Sequence, residues 1–499
     1  MKKFVGMLMT VLCCGSNAPT THAQNEVDYL RYSHLETAGS VRTWGMGGAF
    51  GALGADLGSL SANPGGLGMY RRGDMGMSWG VATIRAQVLH GTSAERKSAS
   101  RATLPSAGLV LTYPTINPDW PFFSLGVTYT QRANLDAQTT LNPSPFEASI
   151  LEIFQSQANG FTPDDFMISP SLSMYTSLAW DTYLIDPVDP NESAPTTYVT
   201  AIPDGKVNMS RQTEAMGTLG ETAISIGGAY QDRCYFGLTL GLPRVDFQEV
   251  TRTEEIPRTD SLTLQAWNLT EELQVEGSGF NAKLGVVAVI TDWLRMGLAY
   301  HTPTRLRLSE AFVTRMESVF DNGTEFSRTS PTLSNDYIIR TPARWIASAS
   351  FIMGKWGLVV ADVERVDYRA GSLGPTAFAG IDAPNYDDVN ETILDIHDVG
   401  YIGRAGLELR IRQSYRIRLG ASYETSPYNI LTADIQDDAS RYTASTGFGW
   451  RKDKYYTNMG YRRSWFTQDI YPYGTYIADS PGTLKKSHGV LMFGAGVRL

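Results

Sequence analysis

From residue 75 to the C-terminus, apolar side chains alternate with polar or small ones in blocks of about ten residues. Phe123, Leu125, Val127 and Tyr129 alternate with Ser124, Gly126 and Thr128. Leu294, Met296, Leu298 and Tyr300 alternate with Arg295, Gly297, Ala299 and His301. The chain ends in the same rhythm, with Leu491, Phe493, Ala495, Val497 and Leu499 on one face. Period two is the mark of strands with two different faces. Fourteen strands are predicted, near 75–88, 103–113, 121–134, 221–230, 234–251, 272–290, 294–312, 337–352, 356–368, 400–411, 415–426, 441–451, 455–466 and 487–499.

The connectors alternate too. Tight turns fall at Gln231-Asp232-Arg233, Thr291-Asp292-Trp293, Met353-Gly354-Lys355, Arg412-Gln413-Ser414 and Lys452-Asp453-Lys454. Long connections cover 135–220, 313–336, 369–399 and 467–486. An even strand number, with short turns at one end and long loops at the other, is the layout of an outer-membrane barrel. The predicted fold is all-β: a 14-stranded antiparallel transmembrane β-barrel, its lumen either an open water pore or filled by an N-terminal plug. Tyr230, Tyr235, Trp293, Trp356, Tyr415, Trp450, Tyr455 and Tyr456 cluster at the tight turns, as an interfacial aromatic girdle requires.

In lipid every backbone N–H and C=O must pair internally, and a closed barrel does this without edges. The apolar face then meets lipid. The opposite face, with Arg295, His301, Arg344, Arg404, Glu408, Arg416, Arg418, Glu424 and Arg498, looks into the lumen. Charges of both signs on that face imply an interior network or a filled lumen.

The N-terminus reads as a signal peptide, residues 1–23. Lys2 and Lys3 precede the apolar run Phe4 to Leu12, and Thr21-His22-Ala23 is a small-residue cleavage site. Losing both lysines takes the net charge from -9 to -11, which disfavours nucleic acid as a partner. Mean hydropathy is -0.19, and no later apolar run is long enough for a spanning helix. After cleavage only Cys234 remains, within a strand pattern, so no internal disulfide or cysteine-rich zinc site is available.

The hatch region, 24–74, holds "GMGGAFGALGADLGSLSANPGGLG" at 45–68, in which nine of 24 residues are glycine. A dinucleotide loop needs a buried strand before its glycines. The upstream "RYSHLETAGSVRTW" offers none, and Phe50 stands where the third glycine should be. Arg42, the run Gly47-Gly48-Ala49, Ala55-Asp56, Ser61 and Asn63-Pro64-Gly65 resemble the hatch of FadL-type outer-membrane channels. Gly65 replaces the alanine of that family's Asn-Pro-Ala motif. "LRMGLAYHTPT" (294–304), "IRTPARW" (339–345) and "RIRLGASYETSPY" (416–428) resemble further family segments. The resemblance implies 14 strands, a hatch at residues 24–74, and passive transport of hydrophobic compounds such as long-chain fatty acids. It also implies entry from outside and lateral exit into a Gram-negative outer membrane, with lipid and lipopolysaccharide as neighbours. A lateral exit needs a strand kink, and Gly126 permits one.

The connection 135–220 is expected to be partly helical. Ser149 and Glu152 have capping-box spacing before Ile150, Ile153 and Phe154, and Met174, Leu178 and Trp180 follow. Phe154, Trp180 and Tyr183 are candidate ligand contacts; the competing reading is that these helices pack on each other. Three other functions compete with this one. FadL-like barrels also serve protein secretion or surface assembly, which would require a protein partner. A haem receptor would use His34 or His301. A lipase needs a serine–histidine motif, and neither G-x-S-x-G nor a His-Glu-x-x-His metal site occurs among the sequences around His34, His90, His301, His397 and His488. The expectation is therefore no enzyme, cofactor or metal. The acidic stretches 186–192 and 382–388 lack the ligand spacing of a calcium loop.

Overall fold

The structure, a computed structural model, describes residues 26–91, 93–167, 172–192, 194–259, 262–376, 384–429, 439–473 and 482–499. The predicted signal peptide lies outside them. Fourteen antiparallel strands form one closed ring. They are β1 (Asp74–His90), β2 (Ser93–Pro114), β3 (Phe122–Asn134, continued by Ala137–Phe146), β4 (Val207–Tyr230), β5 (Cys234–Pro257), β6 (Leu264–Val289) and β7 (Leu294–His301, continued by Arg305–Phe320). The ring goes on with β8 (Leu333–Arg340, continued by Arg344–Ile352), β9 (Gly357–Asp367, continued by Ser372–Pro375), β10 (Val399–Ile411), β11 (Tyr415–Glu424), β12 (Arg441–Lys452), β13 (Tyr455–Ile470) and β14 (Gly482–Arg498). Pairing of β14 with β1, from Asp74↔Arg498 to Leu89↔Thr483, closes it.

Each predicted strand is present, and several run further than expected. β2 begins at Ser93 and β4 at Val207, and most of 313–336 is strand, with Glu325–Thr329 pairing back onto β7. These extensions lie toward the long-loop end. Their hydropathy does not alternate cleanly, because backbone pairing there holds polar side chains on both faces.

The tight turns need left-handed backbone, taken by Gln231, Asp232, Arg412, Asp453 and Gly354. Trp293, Trp356, Tyr415 and Tyr455 point outward and are exposed, as a girdle requires. Tyr235 and Tyr456 do not join it. Each is one residue out of phase with the outer face, so Tyr235 is buried inside and Tyr456 donates to Asp74 Oδ1 at 3.0 Å.

Residues 26–70 form α1 (Glu26–Ser33), α2 (Val41–Gly45), α3 (Ser59–Ala62) and a 3-10 turn (Pro64–Met69). Contacts of this segment reach strands all round the ring. α2 lies on β11 to β14, and the 3-10 turn lies on β3 to β7. The glycine-rich stretch thus meets the inner wall on several sides, and the wall answers with glycine. A Cβ on Gly285 would fall on Asn63 Oδ1, one on Gly237 on the Pro64 carbonyl, and one on Gly420 on the Gly47 N–H. Gly447 brings a Cβ position within 3.3 Å of the Gly45 Cα. Backbone therefore packs on backbone, an approach that any side chain would prevent.

Replacing Gly420 by Leu should expel the glycine-rich segment without opening the ring, since overpacking costs about 1–3 kcal/mol locally. Circular dichroism should show unchanged strand content while limited proteolysis newly cuts within residues 41–70. Unchanged protection of that segment would refute the packing argument.

Candidate functional site

Two kinds of lock hold residues 41–70 against the wall. The first is ionic. Arg42 forks onto Glu408, with Nε to Oε2 at 2.9 Å and a terminal nitrogen to Oε1 at 3.1 Å. Arg418 donates to the same Oε2 at 2.7 Å and to Asn458 at 2.8 Å. One buried carboxylate from β10 thereby joins the N-terminal segment to β11. Paired, bidentate geometry is what lets such charges sit out of water.

The second lock is amide chemistry at Asn63. Its Oδ1 accepts from the Gly65 N–H at 2.9 Å, which starts the 3-10 turn with Pro64 in its first position. Its Nδ2 donates to the Gly51 carbonyl at 2.7 Å and the Val286 carbonyl at 3.1 Å. A single fully buried side chain thus ties two parts of the segment to β6. Asp56 stays within the segment, accepting from Ser40 Oγ at 2.6 Å and the Gly58 N–H at 2.9 Å. Gly47 and Gly48 take positive φ, and the Gly47 N–H donates to Ser445 Oγ at 3.0 Å.

The lumen charges fall into groups. Glu364 accepts from Arg344 and Arg404, each at 2.6 Å, and Arg344 also donates to the Ser33 carbonyl. His34 lies 2.7 Å from Glu424. His301 Nε2 lies 3.1 Å from the Ala62 carbonyl, the arrangement of a structural histidine. Arg295 and Arg416 also face inward but sit near the short turns, and Arg416 donates to the Gln413 and Tyr415 carbonyls, outside the ionic groups. Three contributors were not singled out from the sequence. Asp362 accepts from the Phe50 and Gly51 N–H groups at 2.8 and 3.0 Å. Asp362 and Glu364 were readable as inward positions of the alternating β9. Glu36, in the N-terminal segment, meets Arg462 at 2.6 Å and His488 at 3.4 Å. Burial opposes its ionisation, but His488, Arg462 and Arg441 outweigh that and hold its carboxyl well below the usual range. No periodic signal marks Glu36.

Beside α1 lies a cavity of about 330 Å³. Leu30, Ile84, Leu135, Phe247 and Phe466 give it apolar walls, and Arg31, Arg441 and Lys486 give it cations. Lys486 Nζ stands 5.8 Å from the Phe466 ring centre. Among the described residues it forms no ion pair. Ile84, Asp136, Ala137 and Ala215 also line a second, smaller space that sits in the wall itself, together with Ala99, Ser100 and Arg101.

That space exists because β2 and β3 part. Their pairing runs from Pro114↔Phe122 to Ser106↔Thr130 and stops. Beyond it β2 continues along β1, while Ala137–Phe146 pairs with β4. Leu141 and Phe146 then share a core with Ala86 and Val88 of β1. The irregularity lies at Gln131–Ala133, not at Gly126. Gly126 keeps regular partners in Val110 and Ser225, and its missing side chain makes room for Leu60.

The long connection after β3 contains α4 (Leu151–Ala158) and α5 (Met174–Asp181). Phe154 is buried and stacks on Tyr175, and Trp180 packs edge-on against Phe166 and Tyr198. Mutual packing accounts for both. Tyr183 is half exposed and leans on Phe326. The capping box does not form: Glu152 is exposed, and Ser149 donates instead to Glu255 at 2.5 Å while accepting from the Leu151 N–H at 3.2 Å. Glu255 also accepts from Trp267, Tyr473 and the Ile150 N–H, so a long-range partner displaces the local one. Among the described residues no group of three or more histidine, cysteine, aspartate or glutamate side chains could hold a metal.

No protein-family model matches the chain, and no curated protein matches its sequence. Solved structures share its fold. A FadL homologue from Pseudomonas aeruginosa aligns with a TM-score of 0.56 at 13% identity, over 93% of this chain and 99% of that one. The toluene transporter TodX of P. putida aligns at 0.55 and 12%, over 93% and 99%. The CymD monoaromatic hydrocarbon channel aligns at 0.51 and 12%, over 93% and 98%. The chain has the closed 14-stranded fold of FadL-type outer-membrane channels.

Glu408→Gln should leave Arg42 and Arg418 buried without a carboxylate, at a cost of about 3–5 kcal/mol. Hydrogen exchange should quicken in residues 41–50 well before the strands of the ring are affected. Equal slowing or equal quickening of both regions would exclude the lock.

Proposed function

We propose that this protein is a passive outer-membrane channel for hydrophobic small molecules, with the N-terminal segment acting as its hatch. The observation that carries this reading is the shared boundary of the luminal cavity and the wall opening at Ile84, Asp136, Ala137 and Ala215. An apolar solute in that cavity has a lateral way out between β2 and β3, and never has to cross a water-filled pore. The short turns, the start of β1 and the end of β14 then face the periplasm, and the long loops face outward. The structural relatives are named as toluene and monoaromatic hydrocarbon channels, which supports a hydrophobic cargo.

Within that class the cavity favours a cargo with a carboxylate. Arg31, Arg441 and Lys486 stand among apolar walls, and a long-chain fatty acid presents both an anionic head and an apolar tail. The acid groups Glu36, Glu249 and Glu424 occupy part of the same lining and neutralise some of the cations, which leaves Lys486 as the head-group partner.

Uptake of labelled oleate and of toluene into liposomes with a lipopolysaccharide outer leaflet, carrying the purified protein, tests the reading. Ala137→Trp should block the wall opening and cut both fluxes, on the order of tenfold. Lys486→Gln should weaken oleate binding by about tenfold and leave toluene unchanged. Oleate and toluene fluxes equal to those of empty liposomes would end the channel reading. Equal loss of both in Lys486→Gln would end the carboxylate assignment alone.

A further inference from the structure

Outside the lumen, three neighbouring strands break at one level. β7 breaks at 302–304, β8 at 341–343 and β9 at 368–371. Thr302, Thr304 and Thr341 repair the first two breaks: the Thr302 N–H donates to the Ala282 carbonyl and the Thr341 N–H to the Thr304 carbonyl, both at 2.9 Å. The third break changes the register. Arg344 pairs with Val366 and Arg340 with Ser372, so three residues on β8, 341–343, face five on β9, 367–371. The wall is thereby dented, and an outer-surface groove of about 560 Å³ opens along Pro303, Arg305, Ile338, Arg340, Ser372 and Gly374. Gly374 is open enough that a Cβ there would touch nothing within 4 Å.

Arg305 and Arg340 are directly opposed across β7 and β8, and both are exposed. Like charges in that position repel. No carboxylate lines the groove among the described residues, and the nearby Asp336 is taken by Arg307 at 3.1 Å and Ser309 at 2.7 Å. The level is also informative. Arg340 stands eleven residues along β8 from Phe351, which belongs to the aromatic end near the tight turns. A tilted strand needs about 9–11 residues to cross the hydrocarbon layer. Trp345 and Tyr300 form an outward aromatic pair, 4.5 Å apart, between those two levels. The two guanidinium groups therefore stand over an apolar, aromatic surface at the height of the outer leaflet's head groups.

We propose that this groove is a binding site for the phosphorylated head group of lipid A, with Arg305 and Arg340 clamping one phosphate and an acyl chain running down past Trp345. The proposal rests on the outer-membrane reading given above. A phosphate between the two guanidinium groups turns their repulsion into two charge-assisted pairs. A dent in an otherwise smooth wall gives a bulky sugar phosphate room that a flat barrel face lacks.

Native mass spectrometry of the full chain in detergent, titrated with purified lipid A, tests the site. The wild-type chain should retain lipid A at salt concentrations that strip phosphatidylethanolamine. Arg305→Gln with Arg340→Gln should lower its affinity on the order of tenfold. Gly374→Trp, which fills the groove and removes no charge, should do the same. Lys355→Gln, at a tight turn at the opposite end, should do neither. Retention of lipid A by both groove variants at the wild-type ratio would overturn the proposal. So would equal competition by inorganic phosphate, which would reduce the site to a general anion site. Envelope fractionation and the oleate assay on the same preparations read the outer-membrane and channel assignments separately. Loss of lipid A with uptake intact falls on the groove alone, and loss of outer-membrane fractionation falls on the underlying reading.

Discussion

A strand ring closed by β14 on β1 satisfies the wall's backbone but encloses a space that the wall's side chains cannot fill. Everything else in the molecule follows from how that space is occupied. The occupant is a segment rich in glycine, and it is held by backbone contact, by one amide, by paired charges and by several small apolar clusters rather than one large core. Wall glycines such as Gly237, Gly285 and Gly420 are the complement of that segment. Neither surface makes structural sense without the other.

The segment is held by contacts of two kinds. Apolar interdigitation would resist displacement through many small contacts. Here it is divided into small patches, Phe50 and Leu53 against Leu358 and Val360, Val41 and Trp44 against Val490 and Met492, and Leu60 and Leu67 against Val110, and polar contacts join them, Arg42 with Glu408, Asn63 with the Gly51 and Val286 carbonyls, and Asp362 with two backbone N–H groups. The luminal cavity lies on the other flank, beside α1 and the parting of β2 from β3, where it shares lining residues with the small space in the wall and Arg101 pairs with Asp136 at 3.2 Å.

The long-loop end is organised differently. There the helices α4 and α5 and the extended strands build an apolar core that includes Trp267, Phe154, Phe166 and Tyr198. Glu255 sits at its centre and gathers donors from two long connections, through Ser149 and Tyr473, and from Trp267, its partner on β6. A buried carboxylate met only by neutral donors is pushed upward in pKa by its burial. It joins the connections that carry Ser149 and Tyr473 to the β5–β6 pair.

Much of this was legible in the chain because period two is a local property. Alternation at 123–129, 294–301 and 416–424 has only one structural meaning, and the sorting of turn lengths shows which end is which. Inward charges such as Arg344, Arg404, Glu408 and Arg418 followed from the same phase. Partners did not. Glu408 meets Arg42 from 366 positions away, and nothing local to either residue encodes that distance. Gly126 suggested a kink because glycine permits one, yet its purpose is to admit Leu60, and the wall parts a few residues later where β3 turns inward. Ser149 looked like half of a capping box, but Glu255 from β5 took the place of Glu152. The sequence by itself determined strands, faces and ends, since each depends on residues within one repeat. Only the closed ring decided which charges pair, where the wall opens and what the glycines are for, because those depend on which inner faces meet across the lumen.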